Sequence, residues 1–141
     1  MFGGGYKGDV EPSEAYRAMQ SDKEAQLVDV RTLPEWQFVG TPDLTDLGRE
    51  AHLIAWQVYP SMGLNSGFVN AVKEVVSDPE TPIFFLCRSG ARSAAAAAAM
   101  TAAGYQNCFN IAGGFQGDVG ADGHRGKQNG WQAAGLPWHQ G

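Results

Sequence analysis

Apolar and polar positions along the chain fall into two alternating patterns, which predict strands and helices in turn. Short apolar runs predict strands at residues 25–30 (AQLVDV), 82–86 (PIFFL) and 108–111 (CFNI). The run at 82–86 is continuously apolar, as in strands that are buried on both faces of a parallel sheet. Residues 51–58 (AHLIAWQV) predict a further short strand or extended segment.

Helical spacing or helix-forming composition appears between these runs. Asn65 is a candidate N-cap for one such segment, and Gly104 is a natural stop for another that is almost entirely alanine. The predicted helices cover residues 11–20, 65–76 and 92–103.

Two stretches lack clear periodicity. Residues 31–49 are polar and carry Gly and Pro, and residues 117–141 are rich in Gly, Gln and Trp. We expect the second stretch to wrap the surface, with Trp131 and Trp138 as anchors. Strands that alternate with helices predict an α/β fold with a mostly parallel sheet, whose sites form at the carboxyl ends of the strands.

Composition and charge narrow the function classes. The chain has 141 residues, of which 43% are apolar and 18% charged, and these values suit one soluble globular domain over residues 1–141. We expect a cytoplasmic protein, because the sequence shows neither a membrane-length apolar run nor a secretory signal pattern. A net charge of −5 disfavours nucleic acid as a partner, and we expect no membrane partner either.

The two cysteines differ in context. Cys108 lies within an apolar run and is interpreted as a small buried hydrophobic residue. Cys87 follows the apolar run 82–86 and opens a polar loop that leads into the alanine-rich helix. The candidate site is this loop, which consists of Cys87, Arg88, Ser89, Gly90, Ala91, Arg92 and Ser93.

The position of Cys87 favours its thiolate form, which is the nucleophilic form of cysteine. The start of the following helix offers unpaired N–H groups and the positive end of the helix dipole. Gly90 permits a tight turn of the loop, and Arg88 and Arg92 add positive charge. Ser93 is a candidate cap for the helix and a candidate donor to an anion. We therefore expect a site for a small anion.

The loop sequence CRSGARS resembles the active-site loop of the rhodanese family. Upstream, residues 28–31 (VDVR) with Glu35 resemble that family's V-D-x-R-x-x-x-E segment. Downstream, residues 110–115 (NIAGGF) resemble its N-(V/L)-x-G-G-(F/W) segment, and residues 135–138 (GLPW) resemble a common terminal sequence of single-domain members. The chain departs from the family at residues 51–56, where the turn glycines of a G-H-I-P-G-A segment are missing.

The resemblance, which runs from Val10 to Trp138, implies a rhodanese-like domain. Its sheet would have about five strands, with helices on both faces. The resemblance also implies that Asp29, Arg31 and Glu35 support the loop through ion pairs and hydrogen bonds. His52 is interpreted as a packing residue rather than a base.

The resemblance further implies a thiosulfate sulfurtransferase-like enzyme. Cys87 would take sulfane sulfur from a small anionic donor such as thiosulfate, hold it as a persulfide, and pass it to a thiophilic acceptor. The loop amides would stabilise the persulfide, while Arg88 and Arg92 would attract the donor. We expect no cofactor, because the persulfide on Cys87 carries the sulfur. We also expect no metal, because the histidines and cysteines show no ligand spacing.

Two alternatives remain open. One is a sulfur-relay carrier that hands the persulfide sulfur to a protein partner, with Tyr59, Trp131 or Trp138 as candidate docking residues. The other is a cysteine phosphatase or arsenate reductase of the same fold. Only four residues separate Cys87 from Arg92, whereas phosphatases of this fold generally carry one more, so the spacing favours sulfur transfer.

Overall fold

A computed structural model describes residues 5–140 of the chain. Its strands, in chain order, are Gly8–Val10 (β1), Gln26–Asp29 (β2), Thr41–Pro42 (β3), His52–Leu53 (β4), Gln57–Val58 (β5), Gly63–Leu64 (β6), Ile83–Leu86 (β7), Cys108–Ile111 (β8) and Trp138–His139 (β9). Its α-helices are Pro12–Ser21 (α1), Leu33–Phe38 (α2), Phe68–Val75 (α3) and Ala91–Ala102 (α4), and a short 3-10 turn covers Thr45–Leu47.

Five of the strands form one parallel sheet in the order β1-β8-β7-β2-β4. The other strands form two small antiparallel pairs, β3 with β9 and β5 with β6. This five-stranded parallel sheet between helices confirms the predicted α/β class. Among the described residues, no helix is both long and apolar enough to cross a bilayer.

Strand β7 shows why the run 82–86 is continuously apolar. All four of its residues are buried, and successive side chains point to opposite faces of the sheet. Ile83 and Phe85 pack in the cluster that contains α3 and α4, whereas Phe84 and Leu86 pack in the cluster that contains α1. Both faces of the strand are therefore core.

The alanine-rich helix α4 brings the backbone close to the sheet. Ala96 and Ala97 are fully buried in the same cluster as Phe85 and Cys87. Larger side chains at those positions would hold the helix further from β7 and β8. The small residues therefore bring the first turn of α4 close to the end of β7.

The predicted element boundaries need three corrections. The stretch 31–49 contains helix α2, which has a Thr32–Glu35 capping box and proline in its first turn. None of its residues is fully buried, so it leaves no apolar periodicity in the sequence. Helix α3 begins at Phe68, later than predicted, and Gly67 rather than Asn65 is its N-cap. The Asn65 side chain instead accepts the Gly67 N–H in the turn that precedes the helix. Residues 51–58 hold two short strands, β4 and β5.

The tail is anchored differently by its two tryptophans. Trp131 is fully buried as a core residue, and its indole N–H donates to the Pro137 carbonyl at 2.7 Å. Trp138 is 40% exposed, pairs in β9 with Pro42 of β3, and contacts Phe115 edge to face. Trp131 therefore anchors the tail in the core, whereas Trp138 anchors it at the surface.

Candidate active site

Cys87 follows the last residue of β7, at the carboxyl edge of the central strand of the sheet. Three residues later, Gly90 serves as N-cap of α4 with φ of +123°. L-amino acids with side chains rarely adopt that conformation, so glycine allows the loop to turn back over the cysteine. Ser93 lies in the first turn of α4 and does not cap it, contrary to the sequence-based expectation.

The Cys87 sulfur meets two polar groups. The main-chain N–H of Gly90 donates to Sγ at 3.1 Å, and the Ser93 hydroxyl oxygen lies 3.2 Å from Sγ. Although Cys87 is only 1% exposed, it lines a cavity of about 370 Å³. The other lining residues are Glu35, Gln57, Met62, Arg88, Ser89, Ala91 and Arg92.

A second segment holds the loop from behind. The Phe115 N–H donates to the Cys87 carbonyl at 2.7 Å, and the Gln116 and Gly117 N–H groups donate to the Arg88 carbonyl at 3.0 Å. Gly114 lies so close that an added Cβ would sit 2.6 Å from the Arg88 carbonyl carbon. These contacts explain the second glycine of the 110–115 motif, because a side chain at Gly114 would displace the peptide that follows the cysteine.

The two loop arginines differ in their surroundings. Arg88 is exposed, and its side chain has no hydrogen-bond or ion-pair partner within residues 5–140. Arg92 instead donates from both terminal nitrogens to the Glu35 carboxylate, at 2.7 and 2.9 Å. Glu35 therefore occupies the fork of Arg92, whereas the guanidinium of Arg88 is open to solvent.

Charge and hydrogen bonding fix the state of this pair. Burial by itself would raise the pKa of Glu35, but the hydrogen bonds and charge of Arg92, with two hydrogen bonds from Thr32, outweigh it and lower the pKa to about 2. The same contact, more than offsetting burial, raises the pKa of Arg92, and the nearby Cys87 and Asp29 add to that shift. The carboxylate therefore links helix α2 to helix α4 as a charged pair.

Asp29 and Arg31 contact the cysteine loop only indirectly. Both side chains are fully buried and form a bidentate pair, with Arg31 also donating to the Gly40 carbonyl at 2.7 Å. The Arg31 guanidinium lies 4.3 Å from the centre of the Phe115 ring. Because Phe115 donates to the Cys87 carbonyl, the pair reaches the loop through that aromatic residue.

A polar chain that the sequence analysis did not identify extends behind the sulfur. The Ser93 oxygen lies 2.5 Å from Asn110 Oδ1, and Asn110 Nδ2 donates to Asp9 Oδ1 at 3.0 Å. Tyr6 also donates to that carboxylate, at 2.7 Å. Asn110 belongs to the recognised 110–115 motif, but only the pairing of β1 with β8 brings Asp9 opposite it.

The other sequence candidates lie away from this centre. His52 hydrogen-bonds Gln26 at 2.9 Å, burial lowers its pKa, and it does not line the cysteine cavity. Cys108 is fully buried, and desolvation raises its pKa to about 11, although a hydrogen bond with Thr101 opposes the shift. Over residues 5–140, no three His, Cys, Asp or Glu side chains form a potential metal site.

The arrangement fits nucleophilic chemistry on a small substrate. A cysteine that lines a cavity, with a main-chain N–H donating to its sulfur and an exposed arginine in the same lining, can attack and then hold an anionic group. The helix N-terminus adds positive potential at the same point.

Comparisons with known proteins place these features in a family. A family model described as the STR4 middle domain matches residues 8–141. The crystal structure of Rv0390 from M. tuberculosis is 43% identical, covers 96% of this chain and 99% of its own, and superposes with a TM-score of 0.86.

Two further similarities carry informative names. The rice (Oryza sativa subsp. indica) protein THYLAKOID RHODANESE-LIKE, chloroplastic, is 30% identical over 98% of this chain, which spans 27% of the rice protein. The homodimeric polysulfide-sulfur transferase from Wolinella succinogenes has a TM-score of 0.61 at 22% identity, over 94% of this chain and 78% of its own, and shares the fold alone.

Proposed function

The chain belongs to the STR4 middle domain family and is a rhodanese-like domain, and on that premise we propose that it is a sulfurtransferase that carries sulfur on Cys87. The observation that carries the proposal is the placement of Cys87 Sγ. Cys87 lines a cavity, and its sulfur lies 3.1 Å from the Gly90 nitrogen, beside the start of α4. These features stabilise a negatively charged sulfur, which the transfer needs at each stage.

The reaction has two balanced steps. The Cys87 thiolate attacks the outer sulfur of a donor such as thiosulfate, so that a new S–S bond forms while the donor's own S–S bond breaks. Sulfite leaves with the bonding electron pair, and Cys87 holds a persulfide. A thiophile such as cyanide then attacks the terminal sulfur, thiocyanate leaves, and the thiolate of Cys87 is restored. This covalent route divides one transfer into two displacements.

Arg88 is the guanidinium suited to meet the donor. It lies at the cavity, is exposed and has no ionic partner among residues 5–140, whereas the fork of Arg92 is held by Glu35. We expect Arg88→Ala to raise the KM for thiosulfate more than it lowers kcat, because an exposed charge mainly attracts the anion.

The same geometry disfavours a phosphatase. A phosphatase arginine needs its planar fork free to bind two oxygens of the phosphoryl group. Here both terminal nitrogens of Arg92 are bound to Glu35, and four residues separate Cys87 from Arg92. We therefore expect no hydrolysis of an aryl phosphate under conditions in which thiosulfate loads the cysteine.

Intact-mass measurement tests the proposal directly. Incubation with thiosulfate should add one sulfur atom to the wild-type protein, and cyanide should remove it with release of thiocyanate. Cys87→Ser should add none, whereas the matched variant Cys108→Ser should behave as wild type. Sulfur addition to Cys87→Ser, or hydrolysis of an aryl phosphate by a wild-type protein that takes up no sulfur, would contradict the assignment.

One observation favours a protein thiol as the final acceptor. Met62, between strands β5 and β6, lines the cysteine cavity, while Tyr59 and Leu64 of the same hairpin are 60% and 66% exposed. An apolar hairpin that continues into the cavity fits a cysteine with apolar neighbours better than it fits cyanide.

Two synthetic peptides separate the two acceptor classes. One carries cysteine between leucines, and the other carries cysteine between serines. The double variant Tyr59→Ser/Leu64→Ser should transfer sulfur to cyanide and to the serine peptide at the wild-type rate, but more slowly to the leucine peptide. Equal rates of wild type and variant with the leucine peptide would favour a free enzyme without protein docking at this hairpin.

A further inference from the structure

The Ser93 hydroxyl has a single proton and three acceptors within reach. Its oxygen lies 3.2 Å from Cys87 Sγ, 3.2 Å from the Gly90 carbonyl and 2.5 Å from Asn110 Oδ1. Two oxygens 2.5 Å apart require a proton between them, because unshielded lone pairs at that distance repel. The amide oxygen of Asn110 carries no proton, so the proton is that of Ser93.

Asp9 fixes which amide atom faces Ser93. An ionised carboxylate can only accept hydrogen bonds, so the Asn110 atom 3.0 Å from Asp9 is the NH₂ group. The amide oxygen must then point to the opposite side, where Ser93 lies. Strand register sustains this arrangement, because Asp9 of β1 is paired with Asn110 of β8.

These two constraints determine the contact with the sulfur. With its proton committed to Asn110, the Ser93 oxygen can meet Sγ at 3.2 Å only as an acceptor of the S–H of a neutral thiol. A thiolate or persulfide has no proton on Sγ, so the Ser93 hydroxyl must then rotate toward the sulfur. That rotation leaves Asn110 Oδ1 without a donor in a residue that is only 6% exposed.

We propose that Asp9 and Asn110 are positioning residues that hold the Ser93 proton away from Cys87 and thereby restrain formation of the thiolate. Neither residue touches the cavity that holds Cys87. The inference deepens the proposed function by naming what sets the reactivity of its nucleophile. The proposal rests on that function only where it concerns sulfur transfer, because formation of the Cys87 thiolate can be measured whether or not the protein transfers sulfur.

Other charged groups lie in or around the cysteine loop and must stay constant in the test. They are Arg88 in the loop, Arg92 of α4 with its partner Glu35 of α2, and the buried pair of Asp29 and Arg31 that follows β2. Tyr6 donates to Asp9 on the far side, and that hydrogen bond raises the pKa of its phenol. Substitutions at Asn110 and Ser93 leave all of these charges in place.

The pH profile of alkylation by iodoacetamide tests the proposal, with Cys108→Ser as the common background. Asn110→Ala removes the competing acceptor, so its profile should shift to lower pH by about half a unit to one unit. At a pH below the midpoint, this shift corresponds to roughly three- to tenfold faster alkylation. Ser93→Ala should shift the profile to higher pH, because the thiolate loses a donor.

The double variant separates this mechanism from a general disturbance. In a Ser93→Ala background, Asn110→Ala should produce no further shift, because the only route of its effect has been removed. A shift of equal size in both backgrounds, or an upward shift for Asn110→Ala alone, would overturn the proposal. Circular dichroism and the urea midpoint would establish that each variant is folded.

Asp9→Asn provides a second test if Asn110→Ala fails to fold. The new amide permits Asn110 to turn over, which frees the Ser93 proton and should again shift the profile to lower pH. The loss of the Asp9 charge shifts the alkylation profile whether residue 93 is serine or alanine. The informative quantity is therefore the part of the shift that is seen with serine and is absent with alanine. If the shift caused by Asp9→Asn is the same with and without Ser93, the proposal is refuted. If these shifts appear in a protein that takes no sulfur from thiosulfate, the positioning role stands and the proposed function fails.

Discussion

The main-chain N–H of Phe115 donates to the carbonyl oxygen of Cys87 at 2.7 Å, so the segment after β8 fixes the peptide that follows Cys87. The neighbouring Gly114 lies against the same peptide, and its φ of +60° is a conformation that residues with side chains rarely adopt. The rear of the loop is therefore held by backbone alone, with no room for a side chain.

Gly114→Ala should damage the site more than its backbone strain explains. Its new methyl would lie 2.6 Å from the Arg88 carbonyl carbon, which is far inside van der Waals contact, so the loop must move. The matched control is Gly135→Ala, where φ is +75° and nothing lies within 4 Å. We expect the control to cost about 1 kcal/mol in unfolding free energy with normal sulfur loading, and Gly114→Ala to cost at least twice that and to load slowly. Similar losses in both variants would show that the close approach has little effect.

The pair of Glu35 and Arg92 should make stability depend on pH in acid. The pKa of Glu35 is about 2 in the folded protein against an ordinary 4.5, so its ionised form stabilises the fold above pH 4.5 and that contribution disappears as pH falls through about 2. Because the pair is partly open to solvent, we expect a contribution of the order of 1 kcal/mol.

Urea unfolding of wild type and Glu35→Gln from pH 6 to pH 2 measures this contribution. The wild type should be the more stable protein near neutrality, and the difference should shrink between pH 4.5 and pH 2. A difference that is constant over the whole range would mean that the carboxylate charge does not matter at this position.

Removing Arg31 alone should lower the unfolding free energy more than replacing both Asp29 and Arg31 by apolar residues. Arg31→Met leaves a fully buried carboxylate without its cation, and we expect a loss of about 3–5 kcal/mol. Arg31 Nη1 is buried without a partner among the described residues, so the pair is imperfectly satisfied. The double variant Asp29→Leu/Arg31→Met should therefore be more stable than Arg31→Met in urea. The reverse order would show that Asp29 has essential partners besides Arg31.

The two thiols should differ in reactivity. Burial raises the pKa of Cys108 to about 11, so at pH 8 it remains protonated, whereas Cys87 lines a cavity and meets a main-chain N–H. A brief pulse of iodoacetamide followed by peptide mapping should label Cys87 alone in the native protein. Cys108 should react only after denaturation, and rapid labelling of Cys108 in the folded Cys87→Ser variant would contradict this.

The sequence was sufficient to predict the sheet and the place of Cys87 between a buried strand and the alanine-rich helix. Strand β7 is buried on both faces and helix α4 is nearly all alanine, so local pattern and local structure agree there. The resemblance to the rhodanese family is confirmed by the fold and by a relative that is named rhodanese-like, but it indicated only that Glu35 supports the loop. That Glu35 occupies the fork of Arg92 depends on two helices meeting, which no local pattern encodes.

The features that sequence reasoning missed are those with weak or distant signals. Helix α2 buries no residue completely and so shows no apolar stripe, although its capping box of Thr32 and Glu35 was visible. Asp9 and Asn110 are 101 residues apart, and only the pairing of two strands makes them neighbours. A single sequence contains no record of such a pairing.

The position of β1 has a consequence for the order in which the protein can mature. This strand occupies an edge of the sheet, and its one partner among the described residues is β8, about a hundred residues later in synthesis. On the ribosome, the strand with Asp9 must therefore wait without its neighbour until β8 has emerged. Closing so long a loop is among the last events of folding, so a nascent chain would present its cysteine before the hydrogen bonds that direct Ser93 are in place.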